Sequence, residues 1–177
     1  MTDGRTSPPA AGAWLYPLDA DGDAIRGTHE ASTGNVAAMD TVAPNSRHIS
    51  THIDRPAQEV YDYASDPSNL PEWAPGLGSS VERVDGQWIV ESPMGRVVVA
   101  FAARNEFGVL DHDVTLPSGE TFYNPMRVTV DGTGCEVVFT LRRQPGMSDE
   151  DFERDGNAVF ADLLTLKRTM ERGASGR

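Results

Sequence analysis

From Ile53 to Trp73 the chain reads IDRPAQEVYDYASDPSNLPEW, and this run constrains the fold more than any other. A strand ends in it. Pro56 suits the first position of a helix, where a missing N–H costs nothing. Val60, Tyr61 and Ala64 then share one face at helical spacing. Asp66-Pro67 stops that helix and opens a second, shorter one. Before the run lies Arg47–Ile53, a strand with Ile49, Thr51 and Ile53 on one face. After it come only hairpins until one long helix closes the chain.

The hairpins are marked by their turns. Asp85-Gly86 joins Val81–Val84 to Gln87–Ser92 and is a strong two-residue turn signal. Pro93-Met94-Gly95 leads into Arg96–Arg104, Gly108 opens Val109–Leu116, and Pro117-Ser118-Gly119 turns into Thr121–Asp131, which Pro125 breaks. Gly132-Thr133-Gly134 leads into Cys135–Arg143. Seven strands are expected, counting the first. Ser148 is placed to cap the final helix, with Asp149, Glu150 and Asp151 in its first turn. Phe152, Val159, Phe160, Leu163, Leu166 and Met170 make its apolar stripe, and Gly173 ends it. At about 1.5 Å per residue such a helix is roughly 35 Å long, enough to cross a small sheet. The expected class is α+β: a seven-stranded antiparallel sheet wrapped around a long C-terminal helix, with two short helices after the first strand.

Residues 1–46 read differently. They hold Pro8, Pro9, Pro17 and Pro44 and show no sustained period, so a disordered tail is expected, as it is for 173–177. Trp14-Leu15-Tyr16 is the one local hint of order in the tail, and Met39 is a candidate for the true start. The chain of 177 residues then holds one folded domain, 47–172. Acidic residues outnumber basic ones, 27 to 15, and the net charge of -12 argues against nucleic acid and anionic lipid as partners. No apolar run approaches the ~20 residues of a membrane span, and the N-terminus shows no signal-peptide core. The single cysteine, Cys135, suits a reducing cytoplasm.

Three segments carry a family resemblance. They are Pro56–Tyr61 with Pro71-Glu72-Trp73, then Gly108–His112, then Phe139–Glu150. They resemble the SRPBCC superfamily of START-like, helix-grip proteins, and within it the polyketide cyclase/dehydrase and lipid-transport branch. The resemblance covers about 47–172 and is specific for the fold through the order of its elements. It implies a small-molecule cavity between sheet and helix. It carries no catalytic residue over, because no short catalytic motif is shared across the superfamily, which includes cyclases, lipid carriers, hormone receptors and chaperone-like proteins.

Strand alternation predicts what such a cavity would hold. Leu110, His112, Val114 and Leu116 face inward, while Asp111 and Asp113 face water. Asn124 shares a face with Met126, Val128 and Val130, unless Pro125 makes it a turn residue. Val97, Val99 and Phe101, then Val137, Phe139 and Leu141, add two walls; Trp88 and Val90 add another, and Phe160 and Leu163 project from the helix. Trp73 lines the mouth or plugs the short helix onto the sheet, with the plug favoured. Tyr123 and Arg127 fall on the solvent side, Arg127 within reach of acidic neighbours. The expected ligand surroundings are Trp73, Trp88, Val99, Phe101, Leu110, Val114, Met126, Phe139, Phe160 and Leu163, an apolar set typical of small-molecule sites. His112 and Asn124 are the candidate catalytic pair: an imidazole can move a proton at neutral pH, and an amide can hold a carbonyl oxygen. The weightier reading of His112 is a core histidine bonded to a neighbour.

Two apparent metal motifs fail on geometry. His48 and His52 share a strand face but stand roughly 13 Å apart, too far for one ion. Asp19-Ala20-Asp21-Gly22-Asp23 with Glu30 spaces like a calcium loop, yet Ala24 replaces the required glycine. No metal or cofactor is expected. Binding of a small hydrophobic molecule, of polyketide, lipid or isoprenoid type, ranks first. A cyclase, aromatase or dehydratase acting on a poly-ketone in the same cavity ranks second. A protein-interaction module of the Hsp90-activator type, which would want a basic or apolar docking patch, ranks third. A monomer or homodimer is expected.

Overall fold

The computed structural model describes residues 45–172. The expectations for 1–44 and 173–177, including the Trp14-Leu15-Tyr16 segment, Met39 and the calcium-like spacing, lie outside the described residues.

Strand β1 (Ser46–Ile53) leads into α1 (Ala57–Ala64), whose buried residues are Val60, Tyr61 and Ala64. Pro56 stands just before the helix, and its carbonyl accepts from the Glu59 and Val60 amides at 3.0 and 3.3 Å. Asp66 then caps a single 3-10 turn, Pro67–Asn69, by accepting from the Ser68 amide at 2.9 Å. That turn runs into α2 (Leu70–Trp73). The meander follows as β2 (Ser80–Val84), β3 (Gln87–Ser92), β4 (Gly95–Phe101), β5 (His112–Thr115), β6 (Thr121–Asn124), β7 (Met126–Asp131) and β8 (Gly134–Arg142). Asp85 and Gly86 both take positive φ, 50° and 85°, and Val84 pairs Gln87 across them. That is the turn whose twist matches its strands.

Eight strands stand where seven were expected, because Pro125 divides the predicted Thr121–Asp131 strand. Proline has no N–H to donate and bends the ladder where it sits. β6 pairs with β5, and β7 pairs with β8. The seam is nevertheless bridged: Leu110 N donates to Met126 O, Val128 N to Gly108 O and Thr140 N to Pro125 O, each at 2.9 Å. The strand order is therefore β1-β8-β7 on one side of the bend and β6-β5-β4-β3-β2 on the other.

The closing helix α3 (Asp149–Arg172) has 24 residues and so is roughly 36 Å long. Ser148 caps it: the Asp151 amide donates to Ser148 Oγ at 3.1 Å, and that hydroxyl donates back to the Asp151 carboxylate at 2.7 Å. The helix packs on β1, β8 and α2. This is the expected α+β helix grip, a bent antiparallel sheet around a long C-terminal helix with two short helices between β1 and β2.

The loop from Phe101 to His112 meets β7 at Gly108. Gly108 has φ +69°, and a β-carbon there would fall 2.0 Å from the Val128 carbonyl oxygen. Only glycine allows both the conformation and the close approach. Gly108→Ala is expected to cost about 2–4 kcal/mol, read as a lower urea midpoint with an unchanged slope.

Candidate functional site

The bent sheet holds rows of cross-strand neighbours. One row runs Trp88, Val99, Val114, Phe122. The next runs Phe101, His112, Asn124. Beyond the bend, Met126 pairs with Phe139. Val99, Leu110, Val114, Met126, Phe139 and Leu163 are buried, while Trp88 and Phe101 are half-buried. The register thus brings most of the predicted set onto one concave surface. Trp73 is buried as part of the core, which fits the plug reading.

One predicted member is elsewhere. Phe160 is 44% exposed on the outer side of α3. The buried residues Phe152, Asp155, Gly156, Val159, Asp162, Leu163 and Leu166 occupy a single arc. Phe160 stands about 100° round from Val159 and falls outside it.

His112 and Asn124 face each other across the β5–β6 ladder. His112 Nδ1 lies 3.0 Å from the Leu110 carbonyl oxygen. A carbonyl only accepts, so Nδ1 carries the proton and Nε2 holds the lone pair in the neutral ring. The ring sits 4.9 Å from Phe101 and 6.2 Å from Phe139, centroid to centroid. Burial drives its pKa down to about 4; the Leu110 hydrogen bond and the Asp113 charge oppose that only in part. At neutral pH His112 is an uncharged imidazole fixed to the main chain just before its strand. Asn124 is buried too, its amide nitrogen donating to Phe122 O at 3.3 Å.

Asp111 corrects the alternation argument. It was expected to face water and is instead buried, with 9% of its surface exposed. The bend explains this. Asp111 Oδ1 accepts from the Met126 amide at 2.9 Å, immediately after Pro125. Its two oxygens also hold the Tyr123 hydroxyl and the Arg127 guanidinium. The carboxylate therefore clamps the two halves of the kinked strand and flanks His112 and Asn124. Asp111→Ala is expected to leave the Met126 amide and Arg127 without this partner and to cost about 2–3 kcal/mol, measured by chemical denaturation.

Asp155 and Asp162 were not read from the sequence as interior groups, yet they are 1% and 4% exposed on the buried arc of α3. The available signal was their spacing. Both repeat the seven-residue step of Phe152, Val159 and Leu166. A β-carbon on Gly76 would lie 3.1 Å from Asp162 Oδ2, which places that carboxylate against the chain leaving α2. Burial is the main cause that raises the Asp155 pKa to about 7; Asp151 adds to it and Arg154 opposes it.

A separate surface groove of about 380 Å³ lies where α1 meets β7 and the loop before β5. Ala57, Tyr61, Asn105, Phe107, Val128 and Val130 are among its walls. His48 bonds Thr140, and His52 bridges Asp54 and Asp131, so the two histidines serve different contacts. Among the described residues no three metal-type side chains form a cluster. No described helix is long and apolar enough to cross a membrane.

The order of elements, the bent sheet and the gripped helix define a helix-grip protein of the SRPBCC type. Residues 47–173 match the family described as polyketide cyclase / dehydrase and lipid transport, and the chain belongs to that family. A search of curated proteins gave no match. Among solved structures, the protein XoxI from Bacillus cereus superposes with a TM-score of 0.56 at 14% identity, covering 71% of this chain and 95% of that one. A Deinococcus radiodurans protein, DR_A0006, gives 0.51 at 23% identity, covering 72% and 98%. DynU16, from the dynemicin biosynthetic locus, gives 0.57 at 14% identity, covering 73% of this chain and 48% of that one. At these identities the likeness speaks for the fold alone.

Asp155 makes stability depend on pH. Its folded pKa lies above the usual carboxylate value of 3.8. The folded state therefore holds the proton more tightly, and the resulting stability is lost as pH rises from about 4 through about 7. Asp155→Asn is expected to raise the melting temperature at pH 8, with the difference vanishing near pH 4.

Proposed function

We propose that the protein binds a small hydrophobic molecule, of polyketide, lipid or isoprenoid type, between the concave sheet face and α3. The observation that carries this is the match of residues 47–173 to a family described by lipid transport and polyketide cyclisation. The character of the concave face supports it. Trp88, Val99, Phe101, Val114, Met126 and Phe139 present apolar surface, and Trp73, Leu110 and Leu163 enclose it. His112 and Asn124 supply one polar point in the middle. Apolar walls with a few placed polar groups are what small-molecule sites have in common.

Carriage fits His112 better than catalysis does. A general base works best with a pKa near the working pH. His112 is held near 4, so it takes a proton weakly at pH 7. The second reading, cyclisation or dehydration of a poly-ketone, draws on the direct pairing of His112 with Asn124. There the imidazole would accept the proton alpha to a carbonyl whose oxygen the amide holds.

Native mass spectrometry of protein purified gently from its own host tests the proposal. A retained small-molecule adduct, extractable into organic solvent, is the expected result. Val114→Trp, which fills the concave face, is expected to remove it. A clean mass from both proteins counts against carriage. His112→Ala is expected to keep the adduct with affinity changed by less than about tenfold. A variant that keeps the ligand but loses turnover of poly-ketone mimics would establish the second reading instead.

A further inference from the structure

Phe107 and Val130 are the most exposed large hydrophobic side chains among the described residues, at 76% and 77%. Both wall the groove of about 380 Å³ between α1, β7 and the loop before β5. Phe107 is held out on a fixed loop. Asn105 Oδ1 accepts from the Phe107 and Val109 amides, and its Nδ2 donates to the Ala103 and Val109 carbonyls, each at 3.0 Å. The Asn105 amide donates to the Tyr61 hydroxyl at 2.8 Å, which ties the loop to α1. An apolar patch kept in water by a preformed loop marks a contact surface. The β7 side of the groove is open as well. Val128 N donates to Gly108 O, so alternate residues of β7 turn their backbone groups toward the loop. Val130 is the next of them, and among the described residues its backbone has no partner on that side. The groove thus offers apolar walls and a short free strand edge.

We propose that this groove is the docking site of the chain's own Trp14-Leu15-Tyr16 segment, which adds as a short strand beside Val130. Trp14 and Tyr16 are the sole aromatic residues of 1–44, and they fall within Ala10–Leu18, a stretch without a charge. Its chemistry matches walls made by Tyr61, Phe107, Val128 and Val130. Tyr16 precedes Pro17, a position biased toward the extended backbone that strand addition uses. The tether has the right reach. Arg143 N donates to Asn45 O, while Val130 pairs with Cys135, eight residues back along β8. That span is roughly 27 Å at the rise of an antiparallel strand. Thirty residues lead from Leu15 to Asn45, and a flexible linker of that length has a root-mean-square span of about 30 Å. A tether matched to its span gives its segment an effective concentration of about millimolar, which favours it over a second copy of the chain. The docking uses none of the residues assigned to the ligand, so it stands or falls separately from that reading.

Amide hydrogen exchange on the full chain tests it, at two protein concentrations about a hundredfold apart. Exchange at Leu15, Tyr16 and Val130 is expected to be about tenfold or more slower than in Leu15→Asp, which puts a charge into the segment. Val130→Glu, a change at an exposed position, is expected to release Leu15 and Tyr16 to the same degree. Slowing that is the same at both concentrations supports docking within one chain. Slowing that appears only at the higher concentration assigns the groove to a second copy and overturns the proposal. Equal exchange in the unmodified protein and Leu15→Asp overturns it, as does protection of Leu15 that survives Val130→Glu. The Leu15→Asp comparison decides the matter whether or not Val130→Glu folds.

Discussion

At Pro125 the long fifth run of the meander loses a backbone donor, and the sheet bends there. A bend leaves ladder groups to be satisfied by other means, since buried backbone groups rarely go unpaired. Asp111 provides part of the answer, taking the Met126 amide, the Tyr123 hydroxyl and the Arg127 guanidinium on one buried carboxylate. Gly108 provides another part, letting the neighbouring chain close on Val128. With the bend held, β1, β8 and β7 pack one side of the molecule while β2 to β6 curve away. The concave face exists because of that curvature. A flat sheet of the same strands would offer α3 only a plane.

The polar groups on that face are set by the same bend. His112 follows Asp111 directly, and Asn124 precedes Pro125. Each is tied to main chain two residues before it, His112 to Leu110 and Asn124 to Phe122. Their rigidity comes from local hydrogen bonds, and their juxtaposition comes from register. The depressed basicity of His112 follows from burial between Phe101 and Phe139. A group so placed serves well as an uncharged recognition element and poorly as a base at neutral pH. The opposite layer behaves differently. Asp155 and Asp162 bring acids onto a buried helix arc otherwise built from apolar side chains and Gly156, at a cost that burial makes plain in the raised Asp155 pKa. Sheet and helix thus offer contrasting polar surfaces, neutral on one side and acidic on the other.

Much of the architecture was legible in the residues themselves. Proline at a helix start, Asp85-Gly86 at a hairpin, Ser148 at a cap and the alternation of Val137, Phe139 and Leu141 act over a few residues. Local sterics and hydrogen bonds decide such features wherever they occur. His112 could be placed inside for the same reason, by counting along one strand. Four positions were misjudged or passed over, each where periodicity meets something nonlocal. Asp111 follows the solvent face by count, yet the kink turns it into a buried clamp. Phe160 is apolar and helical, but its angle puts it beyond the arc that the sheet covers. Asp155 and Asp162 have the right angle, and only their charge argued against reading them as interior.

The sequence by itself determined the succession of elements, their boundaries to within a few residues and the faces of the regular strands, because these depend on neighbours close along the chain. It also determined membership in the helix-grip class, since the order of strand, two short helices, meander and long helix has few compact solutions. Tertiary structure decided which carboxylates are buried, how the bend at Pro125 is held and which polar groups meet. Those outcomes depend on residues distant in sequence sharing one low-dielectric space, where the energy of a charge is set by its surroundings rather than by its chemical type.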